Sequence, residues 1–319
     1  MPFKKEFQNF SSSINELTIG LPPYEIILGG ENILPFYTFD LPDESGTPDK
    51  HRPKVGIAIS DSGLCKDLPK YNSFYDGATT VADVASRAAK IPGVDFLVIC
   101  LDNAHPDKEN TSPEDCAALV KEISNSINIP IAVMGCDHIE KDAKIFEKVA
   151  SALFGKNILV LSAREENHKN VAAAAGLAYP QKVGAESSVD INLAKQLNIL
   201  ITQIGVKPEN MAMDIGSAAA GYGFEYIIST IDRVKLAALS QDDSMLQMPI
   251  ITPVFSQTWT VKESTASPDD YPEWGSVESR GIYMEITTAA ACLAAGSNAV
   301  ILMHPDSVET ISLLIKELM

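Results

Sequence analysis

No two cysteines in this chain are spaced C-x-x-C. The five, Cys65, Cys100, Cys116, Cys136 and Cys292, are scattered over 319 residues. The close four-cysteine spacing that an iron-sulfur cluster requires is therefore absent. An odd, dispersed set of thiols in an acidic chain points to reduced, mostly buried cysteines. No run of 18 or more apolar residues occurs, which excludes a membrane-spanning helix. Met1 to Phe10 carries charges without an apolar stretch, so no signal peptide is expected there and a cytoplasmic setting is. No H-x-H lies on a predicted strand and no H-E-x-x-H on a predicted helix, so no metal site is expected. Basic residues are scarce: 25 Lys and Arg stand against 42 Asp and Glu, a net charge of −17. Such a surface repels nucleic acid and anionic membranes and favours solubility.

What is present is a regular rhythm. Hydrophobic residues make up 45% of the chain, enough for a large core. The first fifty residues stand apart. Tyr24 to Leu28 and Leu34 to Phe39 are short apolar runs around Gly29-Gly30 and predict a hairpin. Asp43 to Pro53 is polar and reads as a loop. From there strands and helices alternate. Strands are predicted at Val55 to Ile59, Phe96 to Leu101, Ile131 to Met134, Ile158 to Leu161, Lys182 to Ala185, Met211 to Ile215, Ile250 to Phe255 and Ala299 to Met303. Amphipathic helices follow each of them. Ser112-Pro113-Glu114-Asp115 predicts a helix start, with Ser as cap, Pro in the first turn and acids at its positive end. Eight strand–helix units point to a parallel (β/α)8 TIM barrel over residues 53–319, with residues 1–52 as an N-terminal hairpin extension. The rival, a doubly wound sheet, usually has fewer strands and a Gly-rich first turn, and no G-x-G-x-x-G follows the first strand here.

In such barrels chemistry sits at the C-terminal strand ends. Those ends carry Ser60 and Asp61, Asp102, Asn103 and His105, Asp137 and His138, Ser162 and Arg164, Glu186 and Ser187, Asp214, and His304. Each alone reads more readily as a helix cap or a loop turn than as a site residue. Together they admit three readings. His105, His138, His168 and His304 with Asp137 are the set that would have to converge on a metal. Asp102, Asn103 and Asp214 are acids and an amide suited to paired hydrogen bonds with a pterin ring. The run from Gly216 to Gly223, almost wholly small residues including Gly221, lets a backbone approach a bulky flat ligand or another subunit. A long loop, Ser256 to Gly275, carries Trp259, Tyr271 and Trp274, and loops of that length in a barrel are usually functional.

Several segments resemble a known family. The helix Asp190-Ile191-Asn192-Leu193-Ala194-Lys195-Gln196-Leu197-Asn198-Ile199-Leu200 is similar to the fifth-helix signature of the small (delta) subunit of the corrinoid iron-sulfur protein of the acetyl-CoA pathway. Gly221-Tyr222-Gly223-Phe224-Glu225-Tyr226, Met245-Leu246-Gln247-Met248-Pro249, Pro272-Glu273-Trp274-Gly275 and Arg280-Gly281-Ile282 resemble further segments. So do Gly29-Gly30-Glu31 with Leu34-Pro35-Phe36, and Gly135-Cys136-Asp137 with Glu140-Lys141-Asp142. The similarity runs in order over nearly the whole chain. Three positions depart from the family pattern: Ile215 follows Asp214 where Pro is usual, Ser188 follows Ser187 where Pro is usual, and Met303 precedes His304 where Arg is usual.

The resemblance implies a non-catalytic, or co-catalytic, subunit of a complex that carries a methyl group from methyltetrahydropterin to acetyl-CoA synthase, as one half of a heterodimer. It implies that the corrinoid is shared with a large subunit, which alone carries a [4Fe-4S] cluster. It places Asp102, Asn103, Asp137, Ser162, Glu186, Asp214, Gly216, Gly221 and His304 on the barrel face that covers the corrinoid. Implied partners are the large subunit, a methyltetrahydropterin methyltransferase and acetyl-CoA synthase. A base-off corrinoid domain would carry D-x-H-x-x-G, a spacing that neither Asp137-His138 nor Asp102 to His105 satisfies. The alternative is a pterin-dependent methyltransferase acting in its own right.

Overall fold

The structure, a computed structural model, describes residues 8–34, 51–65 and 67–318. Four short strands come first: Gln8–Asn9 (β1), Leu17–Ile19 (β2), Ile26–Leu28 (β3) and Ile33–Leu34 (β4). Only Leu34 of the predicted hairpin's second run is described, and the pairing that is described involves a different partner. β3 pairs backwards with β2, in the register Leu17 to Leu28 and Ile19 to Ile26, and β4 pairs with β1. The reason is alternation. Leu17 and Ile19 present two apolar side chains on one face, matching Ile26 and Leu28, and all four are buried. Gly29 and Gly30, both at positive φ, then turn the chain away. Residues 35–39 of the predicted partner run, and 43–50 of the predicted loop, lie outside the described residues.

The next eight strands are Lys54–Ser60 (β5), Phe96–Cys100 (β6), Ile131–Met134 (β7), Leu159–Ala163 (β8), Lys182–Glu186 (β9), Met211–Asp214 (β10), Ile251–Thr252 (β11) and Ala299–Leu302 (β12). All are parallel, in the order β10-β9-β8-β7-β6-β5-β12-β11. A bridge between Met213 and Ile250, with the Met213 N–H donating to the Pro249 carbonyl at 2.8 Å, joins the two ends into a (β/α)8 TIM barrel. β11 is shorter than the predicted Ile250 to Phe255, because the chain turns into a helix at Phe255.

The helices are Pro69–Phe74 (α1), Val81–Ala88 (α2), Pro113–Ser126 (α3), Ile139–Ala152 (α4), His168–Val171 (α5), Ile191–Ile204 (α6), Phe224–Ser240 (α7), Phe255–Thr258 (α8), Lys262–Thr265 (α9), Val277–Ala295 (α10) and Pro305–Leu318 (α11). α5 runs on into a π-helical stretch, Ala172–Ala178. The local signals work as expected. Ser112 accepts the Asp115 N–H at 3.1 Å ahead of Pro113, and Asp190 caps α6 through the N–H groups of Asn192 and Leu193. Ser256 to Gly275 is not a structureless loop: it winds through α8, α9 and a 3-10 turn at Pro272–Trp274.

The core has two parts. One lies between the strands and the surrounding helices. The other fills the barrel, with Ala58, Phe96, Val98, Leu159, Leu161, Ala212, Ile251 and Ile301. Leu17, Ile19, Ile26 and Leu28 belong to this inner core, so the β2–β3 hairpin stoppers one end of the barrel. Asn157, in the turn leading into β8, donates to the carbonyls of Thr18 and Gly20 at 3.0 and 2.9 Å. This places the stopper at the N-terminal strand ends and leaves the opposite end as the mouth. A polar lock holds the segment after the hairpin. Lys235 of α7, with a side chain 0% exposed, pairs with Glu31, and both bond to Asn298, which also accepts the Ile250 N–H at 2.9 Å.

Candidate functional site

At the mouth the polar side chains form two groups. The first stands at the ends of β5 and β6. Ser60 donates to Asp102 at 2.5 Å, and Lys108 lies 3.8 Å from the other Asp102 oxygen. Asn103 is turned to its neighbour: its N–H donates to the Asp61 carboxylate and its side-chain amide to the Asp61 carbonyl, at 2.9 and 3.0 Å. Burial, helped by the charge of Asp102, pushes the Asp61 carboxyl up to about 6, against the Asn103 N–H and Lys108.

The second group spans β7 to β10. Arg164, just beyond β8, bonds Glu186 at the end of β9 at 2.9 Å and Asp137 beyond β7 at 2.5 Å. Asp137 holds its place at φ +66, in the left-handed region. Asp214, at the end of β10, is buried. It accepts the Ser162 hydroxyl at 3.2 Å on one oxygen and the Gly216 N–H at 2.9 Å on the other. Burial first, and then the charge of Glu186, pushes Asp214 up to about 7, against Gly216, Ser162 and Arg164. Beside Glu186 and Gly216 in the chain, the hydroxyls of Ser187 and Ser217 are buried and hydrogen-bond to nothing. β6 and β10 lie four places apart around the circle of eight, so Asp102 and Asn103 face Asp214 from opposite walls. The small-residue segment begins at Gly216 and is tied to α10 by the Ala220 N–H, which reaches Thr288 at 3.2 Å. At Gly221 a side chain would meet nothing within 4 Å.

His304 is placed differently from the rest of the predicted set. It is 1% exposed, with Nε2 3.3 Å from Glu278 and Nδ1 accepting the Asp306 N–H at 3.1 Å. Its ring stacks with Trp259 at 6.0 Å and 19°. Burial pulls the imidazole below its usual range, against the pull of Glu278. Glu285, two turns further along α10, accepts the N–H groups of Met303 and His304 at 2.6 and 3.2 Å. Neither glutamate was singled out in the sequence, although a signal exists: Glu278, Gly281, Ile282 and Glu285 form one buried helical stripe.

Burial pushes the Glu285 carboxyl up to about 7. That lies above the unfolded value of about 4.3, so its contribution to stability is complete below about pH 4 and is lost as pH rises through 7. Glu285→Gln is therefore expected to flatten the fall in Tm between about pH 4 and pH 7. An equally steep fall in the variant would show that Glu285 does not titrate there.

The histidines do not converge. His105 and His138 rings are 6.0 Å apart, and each accepts a nearby backbone N–H, from Asp107 and Lys141. His168 bonds the Glu165 carbonyl. Among the described residues no group of three or more His, Cys, Asp or Glu could hold a metal ion. The five cysteines are free; Cys65 is exposed and the others are buried. The aromatic loop has two parts. Trp259 anchors it against Gly281, while Tyr271 and Trp274 stack at 4.1 Å on the partly exposed rim with Lys262 4.5 Å above Tyr271. Among the described residues no helix is long and apolar enough to cross a membrane.

A family model for the CO dehydrogenase/acetyl-CoA synthase delta subunit matches residues 16–299. The chain is 30% identical over 288 residues to the acetyl-CoA decarbonylase/synthase complex subunit delta 1 of Methanosarcina thermophila, covering 89% of this chain and 64% of the relative. It is 30% identical over 286 residues to the complex subunit delta of Methanothermobacter thermautotrophicus, covering 89% of this chain and 70% of the relative. The chain thus spans a little under two thirds of the length of the first of these relatives. Dihydropteroate synthase of Xanthomonas albilineans with 4-aminobenzoic acid shares the fold, at TM-score 0.53 and 13% identity, over 83% of this chain and 93% of that one.

Proposed function

We propose a role for this chain from the family to which it belongs, the CO dehydrogenase/acetyl-CoA synthase delta subunit family: that of the barrel subunit of a methyl-carrying complex. In this reading the chain pairs with a larger subunit in the cytoplasm, and its mouth covers a corrinoid held by that subunit. The [4Fe-4S] cluster belongs to the larger subunit. The methyl group arrives through a methyltetrahydropterin methyltransferase and leaves for acetyl-CoA synthase. A bound corrinoid supplies the methyl-carrying chemistry; the barrel supplies a surface.

The observation that carries the reading is the pair of orphaned hydroxyls, Ser187 and Ser217, buried beside the strand ends of β9 and β10. Buried polar atoms in folded proteins are nearly always hydrogen-bonded, so a bare hydroxyl just beyond a strand end is a position that a water or a ligand can take. The residues fit a broad flat ring edged with amide groups. The segment from Gly216, with open space at Gly221, allows close approach. Ser162, Arg164, Glu186 and Asp137 offer donors and acceptors in a row. Asp214 supports Ser162 from below, and Asp102 and Asn103 close the far wall. His304 acts indirectly, by fixing the turn from β12 into α11.

The test is an anaerobic pull-down of the tagged chain from its native host. A larger partner at one-to-one stoichiometry, with corrinoid and iron-sulfur absorption, is the expected result. A lone, colourless chain overturns the reading. Methyl transfer from methyltetrahydropterin by the isolated chain would then be measured, since Asp102, Asn103 and Asp214 suit a pterin.

A further inference from the structure

We propose that Asp214 and Ser162 form a proton-dependent hydrogen-bond switch, which decides whether the mouth offers its ligand a donor or an acceptor. The inference rests on the corrinoid reading for the identity of that ligand, and on the geometry of this chain for the switch.

Ser162 is half-buried and Asp214 is buried beneath it, with their oxygens 3.2 Å apart. A hydroxyl has one proton and two acceptor positions, so what it shows outward depends on what it does inward. With a proton on Asp214, the carboxylic O–H donates to Ser162 Oγ. The serine proton is then free to point into the mouth as a donor. When Asp214 loses its proton, the O–H bond breaks, the electron pair stays on the carboxylate and the proton passes to water. Ser162 must now donate inward, and its lone pairs face the mouth as acceptors. One proton thus inverts the polarity of one surface position.

The neighbours keep this proton in play. Glu186, from β9, places a negative charge beside Asp214, and burial adds to the penalty on a second one. Arg164, after β8, binds Glu186 and Asp137, and its charge acts on Asp214 in the opposite sense to that of Glu186. The Gly216 N–H fixes the other Asp214 oxygen at 2.9 Å, which leaves the oxygen facing Ser162 as the one that carries the proton. The ligand class follows. A primary amide, of the kind that edges a corrin ring, presents a carbonyl to the donor state and an N–H to the acceptor state. Arg164 is a positioning residue here, and Ser162 is the group that touches the ligand.

The first test uses the full chain with no ligand. Infrared difference spectra of wild type and Asp214→Asn should show a carboxylic-acid band at neutral pH that the variant lacks. Glu186→Gln should move its midpoint to at least tenfold higher proton concentration. An Asp214 that is a carboxylate throughout about pH 5 to 8 overturns the switch, whatever the complex binds. The second test follows corrinoid release from the assembled complex against pH. Asp214→Asn, whose side-chain amide can donate to Ser162 at every pH, and Ser162→Ala should both flatten the wild-type profile. An unchanged profile in both variants overturns the proposal. A complex that assembles without corrinoid removes the preceding reading instead, and the infrared titration alone then decides the switch.

Discussion

Glu31→Ala is expected to destabilise the fold by about 3–5 kcal/mol, the range for removing one partner of a buried ion pair. The Lys235 side chain is 0% exposed and Glu31 is 25% exposed, so the ammonium loses an ion-pair partner in a place that water does not reach freely. The loss spreads because Asn298 bonds both members of the pair and also the Ile250 N–H that begins the seventh strand of the barrel. Removing Glu31 therefore loosens the closing seam of the barrel as well as the N-terminal segment. Urea unfolding monitored by circular dichroism measures it. A loss below about 1 kcal/mol would mean that the pair behaves like a surface salt bridge. Glu31→Leu with Lys235→Met is the informative companion, since replacing both partners by apolar groups is often neutral where removing one is not.

Gly281→Ala, in α10, is expected to be the single-methyl change that most damages the seat of the aromatic loop. A Cβ there would lie 2.1, 2.5 and 2.6 Å from three ring carbons of Trp259. In an exposed helix, Gly to Ala gains about 1 kcal/mol. Here the gain is overwhelmed, because a rigid ring cannot yield by tenths of an ångström. Trp259 must leave its seat, and emptying the site of a large aromatic typically costs about 3–5 kcal/mol. Leaving also breaks the stack on His304 and frees the chain between α8 and α9. The chain has two tryptophans, so a red shift in emission together with new proteolytic cleavage between Phe255 and Gly275 is the expected readout. Unchanged emission and protease resistance would show that the ring finds another seat nearby.

The barrel was legible because its signal repeats. The strand Ile131–Met134 is read from its apolar run with its bounds unchanged, and a helix after the fifth strand is read from helical spacing. The pairing of Ile26–Leu28 with Leu17–Ile19 was not, because Tyr24 to Leu28 has apolar runs on both sides and separation along the chain does not single out this one. The choice is made by the barrel interior, which needs Leu17 and Ile19 on the same face as Ile26 and Leu28. Of the site, the strand-end positions were readable and the connections were not. Nothing local marks Arg164 as the link between Asp137 and Glu186, or ties Asn103 to Asp61; those contacts span 22 to 42 positions. His304 illustrates the limit. Its place after the eighth strand is correct, yet its surroundings are Tyr71 of α1, Trp259 just beyond α8 and Glu278 of α10, which a strand-end rule does not see.

The stopper at the base of the barrel also sets an order in time. Glu31 is made early, but Asn298, which it must reach, lies 267 positions further on. At roughly 5–20 residues per second, ribosomal synthesis separates the two by tens of seconds. Over that interval Leu17, Ile19, Ile26 and Leu28 have no finished barrel to enter, and they are apolar. The emerging chain therefore presents a sticky apolar segment that a nascent-chain chaperone is suited to hold, and its final docking waits for the last strands of the barrel. A release of the N-terminal segment from chaperone only after residue 298 clears the ribosome is the vectorial signature of this architecture.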